Sequence, residues 1–251
     1  MNPVIPARDL PATLSLVVAD PGRPRLTWYG DDGERVELSG AVLLNWVSKT
    51  VNLLVEELDA APGTTVVVDL PAHWRTAVWT LAAWRCGATV VVGAAPGEGS
   101  PDVVVTSRPE AWAGARAELV AVALPALTRR FDGDLPSGTI DAAGAVMTYG
   151  DVIGWAPDAE AEQEALVSPG PEPVPFSALL DDAGRTDAGH GARVLVAGDG
   201  PLAGVLLDLL TIWSRDGSVV LVSAATATEL RADAARLARL RESERVTAGG
   251  L

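Results

Sequence analysis

The residues able to do chemistry are few and scattered along this chain. His73 and His190 are the only histidines and Cys86 the only cysteine, and none stands at a spacing from other donors that would build a zinc site. Both histidines therefore read as surface or helix-capping residues, and no metal is expected. No Gly-x-Ser-x-Gly elbow and no Gly-Lys-Ser/Thr phosphate loop occurs, which removes two common routes to acyl and phosphoryl transfer. Gly198-Asp199-Gly200, with Gly204, follows one apolar run and opens a helical one, as a dinucleotide-binding turn would. Its third glycine is misplaced, and the next apolar run ends at Ser223 rather than at an acid able to hold a ribose, so it reads as a structural turn. Asp31-Asp32 and Asp181-Asp182 sit in turn-like or helical polar settings and read as solvated faces. Trp74, Trp79 and Trp84 share one predicted helix, but a period of 3.6 separates Trp79 from the other two, which points to packing.

Charge narrows the partners. Lys49 is the sole lysine, and 33 acidic residues against 19 basic ones leave a net charge of −14. Such a balance disfavours a nucleic-acid backbone or an anionic membrane as the main partner. A lone cysteine forms no internal disulfide, which fits a reducing cytoplasm. The first twenty residues carry two prolines before any apolar stretch and no compact signal core, and no apolar run approaches the roughly 18 residues that span a bilayer. A soluble, cytoplasmic protein is expected.

The elements that must hold these residues are organised around residues 64–93. A β-branched run over 64–69 meets Pro71, then a helix, then a stop at Gly87 and a second valine run over 89–93. Valine runs with little alternation are strands covered on both faces, as in a parallel sheet, so the stretch reads as strand–helix–strand. Upstream, Leu10, Leu14 and Val17 or Val18 mark a first helix. Residues 25–29 and 34–38 flank the turn Gly30-Asp31-Asp32-Gly33 as a hairpin. Ser39 then N-caps a long helix through Asp59, with Leu43, Trp46 or Val47, Leu54 and Leu58 on its stripe. Downstream, strands are predicted at 102–106 and 119–124 around a short helix from Pro109, and residues 145–155 read as strand and loop. The acidic, proline-rich stretch 156–175 reads as a boundary or linker. Beyond it the pattern returns: strand 193–198, helix 201–215, strand 218–223. Val66 to Val90 and Val194 to Val219 differ in spacing by one residue, which marks repeated architecture. A last helix is predicted over 228–244, opened by a capping box at Thr226–Glu229, with Leu230, Ala234, Leu237 and the Arg241 stem facing inward. The domain reading is thus a first α/β unit over 1–155, the linker over 156–175 and a second, shorter unit over 176–251, with mainly parallel strands.

Leu38-Ser39-Gly40 before the long helix, Pro62-Gly63-Thr64-Thr65-Val66, Leu70-Pro71-Ala72 and Cys86-Gly87-Ala88-Thr89-Val90 together resemble the N-terminal part of the adenylate-forming superfamily, which includes acyl-CoA synthetases. Residues 201–222 resemble a later segment of the same enzymes. More narrowly, the chain resembles the TIGR03089 family of short bacterial AMP-binding-like proteins. The resemblance implies the fold of that N-terminal domain without the C-terminal domain and its catalytic lysine. The superfamily's Ser/Thr/Gly-rich phosphate loop falls at Leu166–Val174, where only Ser168 and Gly170 echo it. Four prolines and Glu172 stand among residues 168–175, with no lysine or arginine. Each proline removes an N–H donor and the glutamate repels phosphate. The resemblance therefore carries over no catalytic residue and no cofactor, and ATP binding is not expected. Two readings follow: a non-catalytic remnant acting through an unknown protein partner or self-association, or a reduced nucleotide- or acyl-binding protein, or half of an enzyme completed by another chain.

Overall fold

A computed structural model describes residues 7–181 and 188–251. Along the chain the elements run α1 (Leu10–Ala19), β1 (Pro24–Tyr29), β2 (Arg35–Ser39), α2 (Gly40–Leu58), β3 (Thr65–Asp69), α3 (Trp74–Arg85), β4 (Thr89–Val92), β5 (Val103–Thr106), β6 (Glu118–Ala121), β7 (Ile140–Asp141), α4 (Ala142–Ala145), β8 (Glu164–Val167), β9 (Val174–Pro175), β10 (Arg193–Ala197), α5 (Leu202–Ser214), β11 (Ser218–Val222), α6 (Ala224–Ala232), α7 (Ala234–Ser243) and β12 (Ala248–Gly249). Among the described residues no helix is long and apolar enough to cross a membrane.

The chain forms two compact units that interleave in sequence. One comprises Met1–Leu44, Pro71–Ala77 and Leu180–Leu251, the other Asn45–Leu70 and Val78–Leu179. The consecutive division at residues 156–175 is not the one the coordinates show. The N-terminal hairpin β1–β2 joins the sheet of the C-terminal segment through parallel pairing of β1 with β11. The supposed linker contributes β8, which pairs with β4 in the sheet of the other unit. Strand order depends on distant partners and leaves no local trace in a sequence, which is why the hairpin could not be placed.

The first unit holds a five-stranded sheet in the order β12-β10-β11-β1-β2, parallel except for the β1–β2 hairpin. One face packs Leu195, Val220 and Val222 under Ala227, Leu230 and Leu240 of α6 and α7; α5 contacts β10 and β11 and also packs on α1. The final helix predicted over 228–244 is in fact two. Ser223, not Thr226, caps α6, accepting from the Thr226 N–H, and Asp233 caps α7 by accepting from Arg236. Ala234 is exposed for that reason, and Leu240 takes its place on the buried face.

The second unit holds a seven-stranded sheet, β7-β6-β5-β3-β4-β8-β9, parallel except for β8–β9. The two spacings noted in the sequence prove to be registers: Val66 pairs with Val90, and Val194 pairs with Val219. Ser39 caps α2 through the Val42 N–H at 3.4 Å, as expected. Every residue of α3 from Trp74 to Trp84 is buried. A helix enclosed all round has no single apolar stripe, which explains three tryptophans on different faces. Residues 145–155 differ from the expected strand and loop: α4 and a 3-10 turn at Val146–Thr148 precede the loop. Asp141 caps α4 by accepting from Ala143.

Candidate functional site

In the second unit the candidate phosphate loop is the turn joining β8 to β9. Ser168 is half-buried, while Gly170 and Glu172 are exposed. Gly170 takes φ +94°, a conformation that side chains with a Cβ rarely adopt, so glycine is needed for the turn itself. Pro169 lies against the end of β4, so close that a Cβ on Gly93 would meet its Cδ at 2.9 Å. Ser168 and Gly170 are thus brought together in one hairpin turn at the carboxyl end of a parallel sheet, where ligands bind in open α/β folds.

The chemistry of that turn is another matter. An anion-binding nest needs successive backbone N–H groups converging on one point. Pro169, Pro171, Pro173 and Pro175 alternate with the other residues, so from Ser168 to Pro175 no two adjacent residues both carry an N–H. The single lysine is committed elsewhere: Lys49 Nζ donates to the Tyr149 carbonyl at 2.6 Å and pairs with Asp151 at 2.6 Å.

Two strands from β8 in the same sheet, at the ends of β3 and β5, Asp69 collects donors. Thr106 Oγ1 (2.7 Å) and Trp112 Nε1 (2.8 Å) donate to one carboxylate oxygen, and Arg108 Nη2 (2.7 Å) to the other. The exposed Arg108 guanidinium is held further towards its charged form by that carboxylate. All three donors come from this unit and tie two strand ends to the turn around Trp112, so the group is structural. A nearby concavity of about 360 Å³ is lined by the 96–101 loop and residues 111–116, with Glu98 and Arg116 as its charged members.

In the first unit, Gly198 approaches β11 so tightly that a Cβ would sit 2.6 Å from the Val222 carbonyl oxygen. Asp199 pairs with Arg231, which holds its carboxyl below the usual range. Gly200 and Gly204 line a groove of about 370 Å³ along β10 and α5, whose charged lining residues are Asp199 and Asp208, with no cation. Its charged lining is acidic, and Asp199 is paired with Arg231 just outside it.

His73 is buried rather than exposed: its Nδ1 accepts from the Arg75 N–H at 3.1 Å at the start of α3, and its ring meets Trp28 edge-on at 4.7 Å. Burial, aided by the Arg75 charge, pushes its pKa down to about 3. The capping half of the expectation holds for His73 and the surface half for His190, which is exposed. Cys86 is buried, and burial pushes its thiol up to about 12, so it is no nucleophile. Asp31 accepts from Ser223 Oγ at 2.5 Å, whereas the Asp32 side chain and Asp182 lie outside the described residues. Among the described residues no group of three His, Cys, Asp or Glu could hold a metal.

Two buried charge clusters escaped sequence reading, both in the first unit. Glu244, 6% exposed, takes Tyr29 Oη at 2.5 Å, Arg35 Nε at 3.0 Å and Arg193 Nη2 at 2.5 Å. Burial raises its carboxyl, but the hydrogen bonds from Arg35, Tyr29 and Arg193 outweigh it and hold the pKa below the usual range. Arg25 is the extra residue where the β1–β2 register shifts, and it is 1% exposed. A bulge re-aims its side chain at the last carbonyls of two segments. It donates to Leu16 (2.7 Å) and Val17 (2.9 Å), and to Asp216 (2.9 Å) and Gly217 (3.1 Å). The only hint in sequence was a charged residue inside an apolar strand run.

No family model matches the chain. A TIGR03089 family protein from Mycobacterium tuberculosis (strain ATCC 25618 / H37Rv) is 38% identical over 159 residues, which is 57% of this chain and 63% of that protein. An acyl-CoA synthetase from Brucella canis superposes with a TM-score of 0.72 at 17% identity, covering 99% of this chain and 48% of the enzyme. The N-terminal domain of FACL13 from Mycobacterium tuberculosis gives 0.67 at 16% identity over 98% of this chain and 63% of that domain. Acetoacetyl-CoA synthetase from Streptomyces lividans gives 0.65 at 18%, over 88% of this chain and 40% of the enzyme. The chain spans less than two thirds of each of these proteins. It is a relative of that TIGR03089 family protein, built on the fold of the N-terminal domain of adenylate-forming enzymes.

Proposed function

We propose that this chain is a non-catalytic, cytoplasmic member of the adenylate-forming fold that acts through contacts with another protein. The observation that carries the reading is the β8–β9 turn, whose alternating prolines leave isolated N–H groups where the fold's enzymes hold ATP phosphates. Glu172 adds repulsion in the same turn, and the net charge of −14 raises the background cost of bringing in an anion. Adenylation needs the triphosphate positioned and its charge neutralised before a carboxylate can attack. Neither requirement is met by this turn.

The purified chain, given Mg-ATP and a panel of aliphatic and aromatic carboxylic acids, is expected to release no pyrophosphate above a protein-free blank. Release that depends on both ATP and an acid, and disappears when the protein is removed, would overturn the reading.

One observation supports a second reading, a reduced acyl-binding protein. The groove along β10 and α5, about 370 Å³, falls in the size range of small-molecule sites. Its two acidic and otherwise largely apolar lining residues suit an acyl chain better than a nucleotide.

A further inference from the structure

The second unit carries a segment of exposed apolar side chains. Trp155 is 68% and Val152 78% exposed, and Met147, eight residues before Trp155, is 57% exposed. Their segment is not loosely attached. Asn52 of α2 donates to the carbonyls of Gly150 (3.1 Å) and Val152 (2.9 Å) and accepts from the Gly154 N–H (3.1 Å). Lys49 holds Tyr149 and Asp151, and beyond Trp155, Arg85 donates to the Pro157 carbonyl at 3.1 Å. The indole is therefore presented from a backbone fixed at Gly154 and again at Pro157. An exposed indole held in this way gains the free energy of removing its apolar surface from water only when a partner covers it.

The surroundings select the cover. Asp151, Asp158 and Glu160 are exposed and lie within five residues of Trp155, and Glu56 and Glu57 act on the adjacent Tyr149, whose hydroxyl, raised mainly by burial, donates to Glu57 at 3.3 Å. The two cations bonded to this segment are already committed, Lys49 to Asp151 and Arg85 to the Pro157 carbonyl. An isologous contact with a second copy would set this acidic rim against itself, and an anionic lipid surface would be repelled.

From this we infer that the segment around Trp155 docks into an apolar pocket rimmed by arginine or lysine on a protein partner, with Trp155 as the anchor and the acidic rim as the steering element. The inference rests on the protein-contact reading above and names the surface that serves it.

A random peptide library displayed on phage, selected on the whole immobilised chain, tests this. Enriched peptides are expected to combine an aliphatic or aromatic residue with arginine or lysine. As synthetic peptides they should bind Trp155→Ala about 30-fold more weakly or worse, as loss of an interface tryptophan does. The pair Asp158→Lys and Glu160→Lys should weaken binding about tenfold, and both variants should melt within about 1 °C of the parent, because all three side chains are exposed. Peptides that bind Trp155→Ala as tightly as the parent, or that lack cations, would leave the contact reading standing and remove this surface from it. An absence of any enriched peptide would sink both. A concentration-dependent dimer abolished by Trp155→Ala would assign the face to a second copy instead and overturn the inference.

Discussion

Arg25→Met is expected to lower the stability of the chain by about 3–4 kcal/mol, the largest effect of any single substitution considered. The guanidinium is 1% exposed and satisfies carbonyls at the end of α1 and after α5, besides pairing with Asp216 at 2.7 Å. Methionine fills much of the volume but offers no donor, so Leu16, Val17 and Gly217 lose a partner away from water. Removing one member of a fully buried ion pair costs about 3–5 kcal/mol. Here the carboxylate part of that cost is smaller, because Asp216 is 26% exposed and keeps Arg23 at 3.2 Å. The orphaned carbonyls, at roughly 1–3 kcal/mol each before relaxation, make up the rest. At about 2–4 °C per kcal/mol for a chain of this size, the melting temperature should fall by roughly 10 °C. Arg25→Lys should recover only part of this, since one ammonium cannot span the fork of acceptors. A melting temperature for Arg25→Met within 2 °C of the parent would show that the bulge and its arginine are dispensable.

The second large effect is on the acid side of the stability profile. In the folded protein His73 stays neutral down to about pH 3, because burial and the Arg75 charge disfavour its protonation, whereas its ordinary value is 6.5. The unfolded chain therefore binds a proton between those values that the folded chain refuses. Stability is fully present above pH 6.5 and is lost as the pH falls, at about 1.4 kcal/mol per unit, until the folded pKa is reached. From pH 7.5 to pH 5, before most carboxylates titrate, the loss from this one group is about 2 kcal/mol by the same linkage. His73→Asn keeps an acceptor for the Arg75 N–H at the helix start but cannot titrate. Its urea midpoint should be nearly flat over that interval where the parent's falls. Equal slopes for the two proteins would mean that His73 takes up its proton as readily in the folded as in the unfolded chain.

Arg25 and Glu244 show where sequence reading stops. The β3–α3–β4 unit was legible because three local signals agreed: valine runs without alternation, proline at the helix start and glycine at its end. The same was true of Ser39 as a cap and of the β1–β2 hairpin. Arg25 and Glu244 stayed illegible because what buries them is pairing between segments about two hundred residues apart in the chain. The break between α6 and α7 could have been found at Asp233, a capping residue placed where the apolar period falters, and Ser223 was a better cap than Thr226 by its position directly after the strand. Residues 156–175 misled for a different reason. Proline and acid dominate there, and the four-residue strand β8 is too short to show against them. At the candidate site, the placement of Ser168 and Gly170 in one turn was legible through resemblance, and the packing of Pro169 on Gly93 was not.

The central claim, that the β8–β9 turn no longer holds phosphate, is tested most directly by melting the purified chain in millimolar Mg-ATP. A ligand bound only by the folded state at 100 times its Kd adds about 2.7 kcal/mol, which for a chain of this size is a shift of roughly 5–10 °C. The expected shift is below about 1 °C, because Pro169, Pro171, Pro173 and Pro175 break the run of donors and Glu172 supplies like charge. A shift of several degrees that vanished in the double variant Ser168→Ala, Gly170→Ala would contradict the account and show a working phosphate site in this turn.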